Sequence, residues 1–248
     1  MDPDTAIGGA ASAFPRTRWS AILAARSAVG AERTRALDAL VAAYWKPVYK
    51  YIRLRWGKSN EDAKDLTQGF FLRVMEKDFF RAYDPERAAF RTYLRACVDG
   101  WVSNDARAAE RLKRGGEFTH VSFDFETAEG EIRQLDVPDP HNLDQYFHQE
   151  WVRSLFAMAL DALRAECEDA GKTAAFRLFE RYDLEPDAGL TYDRLAAEFR
   201  IPVTAVTNHL AWARRQFRRV ALSRLREITA TDAEFRAEAR ALFGVNGA

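Results

Sequence analysis

The chain has 248 residues, 37 basic and 37 acidic side chains, a formal net charge of zero and 48% hydrophobic residues. Its length and apolar content suit one large domain or two small ones with real cores. The neutral balance excludes binding nucleic acid through a whole basic surface and leaves only local contact. No apolar run approaches the ~18 residues of a membrane span, and the opening MDPDTAIGGA has neither the basic region nor the apolar core of a secretion signal. A cytoplasmic protein without membrane contact is expected. Cys97 and Cys167, far apart on helical-looking segments, read as buried free thiols.

In chain order, residues 1–14 are small and polar to neutral and read as a disordered N-terminus. Helical periodicity fills residues 15–115. Trp19, Ile22 and Leu23 suggest a preliminary helix. Leu37, Leu40, Val41, Tyr44, Trp45, Val48, Tyr49 and Ile52 recur at spacings of three and four, with Pro47 inside the pattern and Gly57 ending it. Ser59 with Asp62 resembles a reciprocal cap, opening a helix whose Ala63, Leu66, Phe70, Val74 and Met75 face inward. After the turn AYDPERAAF, Phe90, Tyr93, Leu94, Cys97, Val98, Trp101 and Val102 line a third helix ending in RAAERLKRGG. These helices can share one core.

Residues 116–144 read as an acidic linker. From 115 to 150 the chain carries nine carboxylates and one arginine, Arg133, together with glycine and two prolines. Like-charged sequence with helix breakers favours a solvated segment. A second helical domain is expected over 145–228, and a helical extension over 229–248. Within it, Trp151, Leu155, Phe156, Met158, Ala159 and Leu163 form one apolar face, and Phe176, Leu178 and Phe179 another.

Then comes TYDRLAAEFRIPVTAVTNHLAWARRQFRR. Thr191 is a plausible N-cap, Leu195, Ala196 and Phe199 an inner face, and Ile201-Pro202 a turn. Val203, Val206, Leu210, Ala213 and Phe217 read as the buried side of the next helix. This is a helix-turn-helix pattern. Residues 203–226 hold six arginines and no acid. A helix of this kind fits the DNA major groove, with Thr204, Thr207, Asn208 and His209 near bases and Arg214, Arg215, Arg218 and Arg219 near phosphates. A solvated basic face on an ordinary bundle is the competing reading. A second basic tract, Arg107, Arg111, Lys113 and Arg114, follows Trp101, which suits either stacking on a single strand or core packing.

Both halves together resemble one family. The stretch AYWKPVYKYIRLRWGKSNEDAKDLTQGFF, continuing to LKRGG, is similar to region 2 of a bacterial sigma-70-type RNA polymerase sigma factor of the small extracytoplasmic-function (ECF) class. YDRLAAEFRIPVTAVTNHLAWARRQFRR is similar to the promoter-reading half of region 4. The resemblance covers most of the chain. TRWSAILAAR and the tail RLREITATDAEFRAEARALF also look like a subgroup whose genes accompany serine/threonine kinases.

The resemblance implies an all-α fold of two helical domains joined by an acidic linker. It implies no enzyme activity, cofactor or metal. The implied partners are core RNA polymerase, through its clamp helices and flap, and promoter DNA. A serine/threonine kinase or an anti-sigma factor would be a regulatory partner, and the free protein would be monomeric. Asp62, Asp65, Leu66, Gln68, Phe71 and Leu72 match the helix that docks on the clamp. Arg91, Trp101, Asn104, Arg107, Arg111, Lys113 and Arg114 match the tract that melts and holds the −10 element. Thr204, Thr207, Asn208, His209, Arg214, Arg215 and Arg218 match the reader of the −35 element.

Two departures stand out. Lys64 and Gly69 replace acids common in the docking pattern, which makes Thr67 the place where a phosphate would restore charge. Pro202 replaces a usual serine, losing a side-chain cap while pre-setting the backbone. The rivals are a polymerase-independent helix-turn-helix regulator and a degenerate sigma-like protein that competes for polymerase. An enzyme is disfavoured: His120, His141, His148 and His209 are scattered, and no phosphate-binding glycine loop is present.

Overall fold

The longest apolar pattern becomes a helix surrounded on nearly every side. In the computed structural model, which describes residues 22, 25, 30–76, 79–104, 123–134, 142–185, 187 and 189–244, this is α1 (Ala31–Arg55). Leu37, Leu40, Val41, Tyr44, Val48, Tyr49 and Ile52 are buried as the spacing predicts, and so are Ala43, Pro47, Lys50 and Tyr51. Pro47 sits inside the helix without ending it. Gly57, at φ 58°, lets the chain turn away after Arg55. Ile22 packs in the same core, while Trp19 and Leu23 lie outside the described residues.

Helix α2 (Asn60–Val74) starts with the expected reciprocal cap. The Asp62 N–H donates to Ser59 Oγ at 3.1 Å, and Ser59 Oγ lies 2.8 Å from the Asp62 carboxylate. A 3₁₀ turn (Phe79–Ala82) leads to α3 (Phe90–Ser103), which buries Phe90, Leu94, Val98 and Val102. Phe90 is boxed by aromatic rings, with Tyr44 at 5.6 Å, Phe80 at 5.9 Å and Tyr83 at 5.2 Å between centroids.

Where it is described, over 123–134, the acidic stretch is not the expected solvated linker. Residues 123–134 form α4 (Phe125–Arg133) on the surface of α1, capped by Asp124, which accepts from the Thr127 N–H at 3.0 Å. Phe125 and Ala128 are buried, with the Phe125 ring 5.0 Å from Tyr49 and 5.5 Å from Trp45. Glu129 and Glu131, two of the carboxylates that suggested solvation, meet a basic stripe on α1 instead. Arg53 donates to both Glu129 oxygens at 2.9 and 2.7 Å, and Tyr49 Oη donates to Glu129 at 2.8 Å. Lys46 pairs with Glu131. Lys50 Nζ, only 1% exposed, reaches Glu131 and Glu150 at 2.6 Å each.

Helix α5 (Leu143–Asp169) crosses the expected domain boundary. Its Leu143, Phe147, Trp151 and Leu155 complete the core around α1, whereas Leu163 and Cys167 belong to a second core. That core is closed by α6 (Thr173–Phe179), α7 (Tyr192–Phe199) and the first half of α8 (Val203–Glu227). Ala159, Val220 and Ala221 form a seam where α5 meets α8. Leu225, Ile228 and Ala230 then return to the first core, followed by α9 (Asp232–Phe243), which buries Ala239 there. The described residues are all-α, with nine α-helices and no strand. Two cores exist, but they share their longest helices. Cys97 is half-buried and Cys167 buried, both free thiols pushed up by burial.

Removing one partner of a buried pair leaves an uncompensated charge, which costs roughly 3–5 kcal/mol. Lys50→Met should therefore lower the unfolding free energy read from urea denaturation by that amount, and adding Glu150→Leu should recover most of the loss. The second expectation concerns acid. The Arg53 hydrogen bond, with help from Tyr49, holds the Glu129 carboxyl at about 2. An unfolded glutamate titrates near ~4.3. Its folded pKa is depressed, so its contribution is fully present above about pH 4.3 and is lost as pH falls towards 2. Glu129→Gln should flatten this part of the stability–pH curve.

Candidate nucleic-acid interface

The helix-turn-helix is built by local chemistry. Thr191 caps α7 by accepting from the Arg194 N–H at 3.3 Å. Arg200 closes it in the left-handed region at φ 54°, and the Ile201 N–H donates to Ala196 O at 3.0 Å. Pro202 then sets α8 going from an extended position without a side-chain cap. Val206, Leu210 and Ala213 fix the helix against the second core. Val203, expected on the buried side, is 39% exposed because the first turn projects past that core.

Thr204, Thr207, Asn208 and Arg215 are exposed, with half-buried Ala211 between them. Their spacing of three and four places them along one open stripe of α8. The Thr207 hydroxyl donates back to Val203 O at 3.2 Å. His209 is half-buried beside the stripe.

The arginines of α8 are less free than their number suggests. Arg214 grips Asp183 with Nε at 3.0 Å and Nη2 at 2.8 Å, and its guanidinium lies 5.6 Å from the Tyr182 ring centre. The Asp183 hydrogen bonds hold its charge firmly, pushing its pKa up. Asp183 lies in a π-helical turn (Glu180–Leu184) that follows α6. Arg218 donates to Phe243 O at 3.3 Å, and Arg219 pairs with Glu166. Arg224 pairs with Glu227 at 2.9 Å, and Arg226 with Asp232. Of the six, Arg215 is the one without an intramolecular partner among the described residues. Arg214 is thus a structural clamp rather than the open phosphate contact expected.

The other two sets also divide. Asp62, Asp65 and Gln68 are exposed on α2 and Leu72 is half-buried, but Leu66 and Phe71 are core residues. Both side chains are buried in the first core, Phe71 beside Phe123, so they cannot touch a partner directly. On α3, Arg91 pairs with Glu238 and lies 5.1 Å from the Trp151 ring centre. Trp101 Nε1 donates to Leu66 O at 3.1 Å, with its ring edge-on to Phe70, which favours packing over stacking on a base. Asn104 is exposed and caps α3 by donating to Gly100 O at 2.7 Å. Arg107, Arg111, Lys113 and Arg114 lie outside the described residues.

The family model described as ECF sigma factor matches residues 35–223, from within α1 to within α8. The chain belongs to the ECF sigma factor family. No curated protein and no solved structure matched it. An ECF sigma factor is a non-enzymatic transcription initiation factor that binds core RNA polymerase and directs it to promoter DNA. Among the described residues no helix is long and apolar enough to cross a membrane, and no cluster suits a metal ion.

In this sigma factor Thr67 is not a phosphate acceptor. Its side chain is 0% exposed, and its hydroxyl donates to Ala63 O at 2.7 Å within α2. The notion of missing charge weakens with it: Gly69 is buried, and Lys64 is paired with Glu61 at 2.9 Å. Sequence reasoning also missed Asp183, Glu234 and Glu238. The tail did show Glu234 and Glu238 four residues apart, a spacing that places both on one helix face. Thr67→Asp should bury an unpaired carboxylate and destabilise the fold by about 3 kcal/mol or more, read by chemical denaturation. A kinase-acceptor role predicts a stable, tighter-binding variant instead.

Proposed function

We propose that the two nucleic-acid elements divide the promoter between them. Helix α8 reads the −35 element, with Thr204, Thr207 and Asn208 at base edges, His209 beside them, and Arg215 and Arg218 at phosphates. Helix α3 and the basic tract after it melt and hold the −10 element through Arg91, Asn104, Arg107, Arg111, Lys113 and Arg114, with Trp101 supporting the helix from beneath. Asp62, Asp65, Gln68 and Leu72 form the docking face for the polymerase clamp, positioned by Leu66 and Phe71. The second core engages the flap. A serine/threonine kinase or an anti-sigma factor belongs to this reading as a regulator, and a kinase would act at a residue other than Thr67.

The observation that carries the reading is the open stripe of α8. It combines hydroxyl, methyl and amide groups in the first turns with one unpaired cation two turns later. That order suits a helix whose start meets bases while its flank meets the backbone.

Run-off transcription with core polymerase, together with binding to a selected −35 duplex over a range of salt, tests it. Arg215→Ala should weaken binding and reduce the salt slope by about one. Arg214→Ala should chiefly lower the thermal midpoint, because it releases Asp183. Unchanged binding of Arg215→Ala at every salt concentration would remove the stripe from the interface.

A further inference from the structure

Helix α9 lies beyond the residues that match the family, yet its carboxylates meet the start of α3. Glu234 accepts from the Phe90 N–H at 3.1 Å, across 144 residues of chain. Phe90 opens α3, where Ala89 offers no side-chain cap and the first turn holds no acid. The positive end of α3 is therefore met only from elsewhere in the chain. Glu238, itself buried, pairs with Arg91. One turn on, Arg95 pairs with Asp144 of α5 at 2.8 Å. Arg91 and the uncapped start of α3 are thus met by acids of α9, and Arg95 by Asp144 together with Asp99 of α3 itself.

A free N–H at a helix start beside a guanidinium is the chemistry that binds a phosphate. Glu234 and Glu238 supply carboxylate oxygens to those two donors. We propose that α9 is a carboxylate latch, occupying the start of α3 in the free sigma factor until single-stranded promoter DNA displaces it. The proposal rests on the reading of α3 as the helix that holds the −10 strand.

The latch is built to release. Glu234 also accepts from the Ala230 N–H at 2.7 Å, while Thr231 caps the Glu234 N–H at 3.1 Å. These contacts are internal to α9 and its approach, so the helix keeps its cap when Phe90 is let go.

The test uses the full chain and a fluorescein-labelled, AT-rich single-stranded DNA. A latch closed about nine times in ten lowers apparent affinity about ten-fold, so Glu234→Gln/Glu238→Gln should bind about ten-fold tighter. Adding Arg91→Gln should cancel the gain. Equal affinity of wild type and the double variant overturns the latch. A second measurement needs no variant: saturating single strand should raise hydrogen exchange in residues 232–243 of wild type. DNA bound with α9 still protected also overturns the latch, while leaving the reading of α3 intact. Failure of wild type with polymerase to contact the −10 strand at all would instead sink that reading, and the latch with it.

Discussion

One buried ammonium determines how the segments of this chain meet. Lys50 Nζ sits 2.6 Å from Glu131 of the acidic helix and 2.6 Å from Glu150 of α5, while its own helix supplies the centre of the core. A charge removed from water must be matched closely, and ion pairs of this kind specify arrangement more than they drive folding. The drive comes from the rings around them. Trp45, Tyr49, Phe71, Phe123 and Phe125 form a continuous aromatic contact between α1, α2 and α4. Sliding α4 by one turn would keep much of that apolar contact. It would strand Glu129 and Glu131 away from Arg53 and Lys50, so the charges set the register.

The same logic runs through the rest of the molecule. Acids and bases are equal in number, and among the described residues they are frequently partners across long stretches of sequence. Asp183 holds Arg214, Glu166 holds Arg219, Glu238 holds Arg91 and Asp144 holds Arg95. An arginine already paired within the protein loses that pairing when it meets a phosphate, so its net gain is small. The electrostatic reach of α8 is accordingly closer to that of two guanidiniums without an acid partner, Arg215 and Arg218, than of six. On the proposed reading, selectivity then falls more heavily on the polar stripe at the start of the helix.

Much of this was legible in the sequence. Spacings of three and four gave the buried faces of α1, α2 and α3, and Ser59, Gly57 and Thr191 marked helix ends that the structure reproduces. The helix-turn-helix could be read from Leu195, Ala196, Pro202, Val206 and Leu210. Charge was read less well. Nine carboxylates in one stretch suggested water, yet Phe125, Ala128 and Ile132 already had helical spacing behind Asp124, and Lys46, Lys50 and Arg53 had the matching spacing on α1. A local excess of one sign says nothing about a complementary stripe elsewhere. For the same reason a run of six arginines could not reveal which were taken. Leu66, Thr67 and Phe71 were misplaced because a motif names positions without stating which face of the helix each occupies.

The shared helices have a consequence for how α8 and α3, the proposed DNA-reading elements, communicate. The first half of α8 carries the exposed stripe, while its last turns and Ile228 sit in the core that holds α3. Helix α5 likewise packs against α1 at one end and α6 at the other. Two promoter elements read by such a molecule would be spaced by rigid helices and by the seam at Ala159, Val220 and Ala221. To change that spacing, the chain must break the contacts of α5 with α1 or of α8 with the first core. The first set includes the buried Lys50–Glu150 pair, and the second leads directly into α9 through Ile228 and Thr231. On the proposed roles of α8 and α3, breaking the second set would move the −35 reader and also loosen the approach to α9, which holds the start of α3. A ligand that favours the open arrangement at either element pulls on the other by the same free energy.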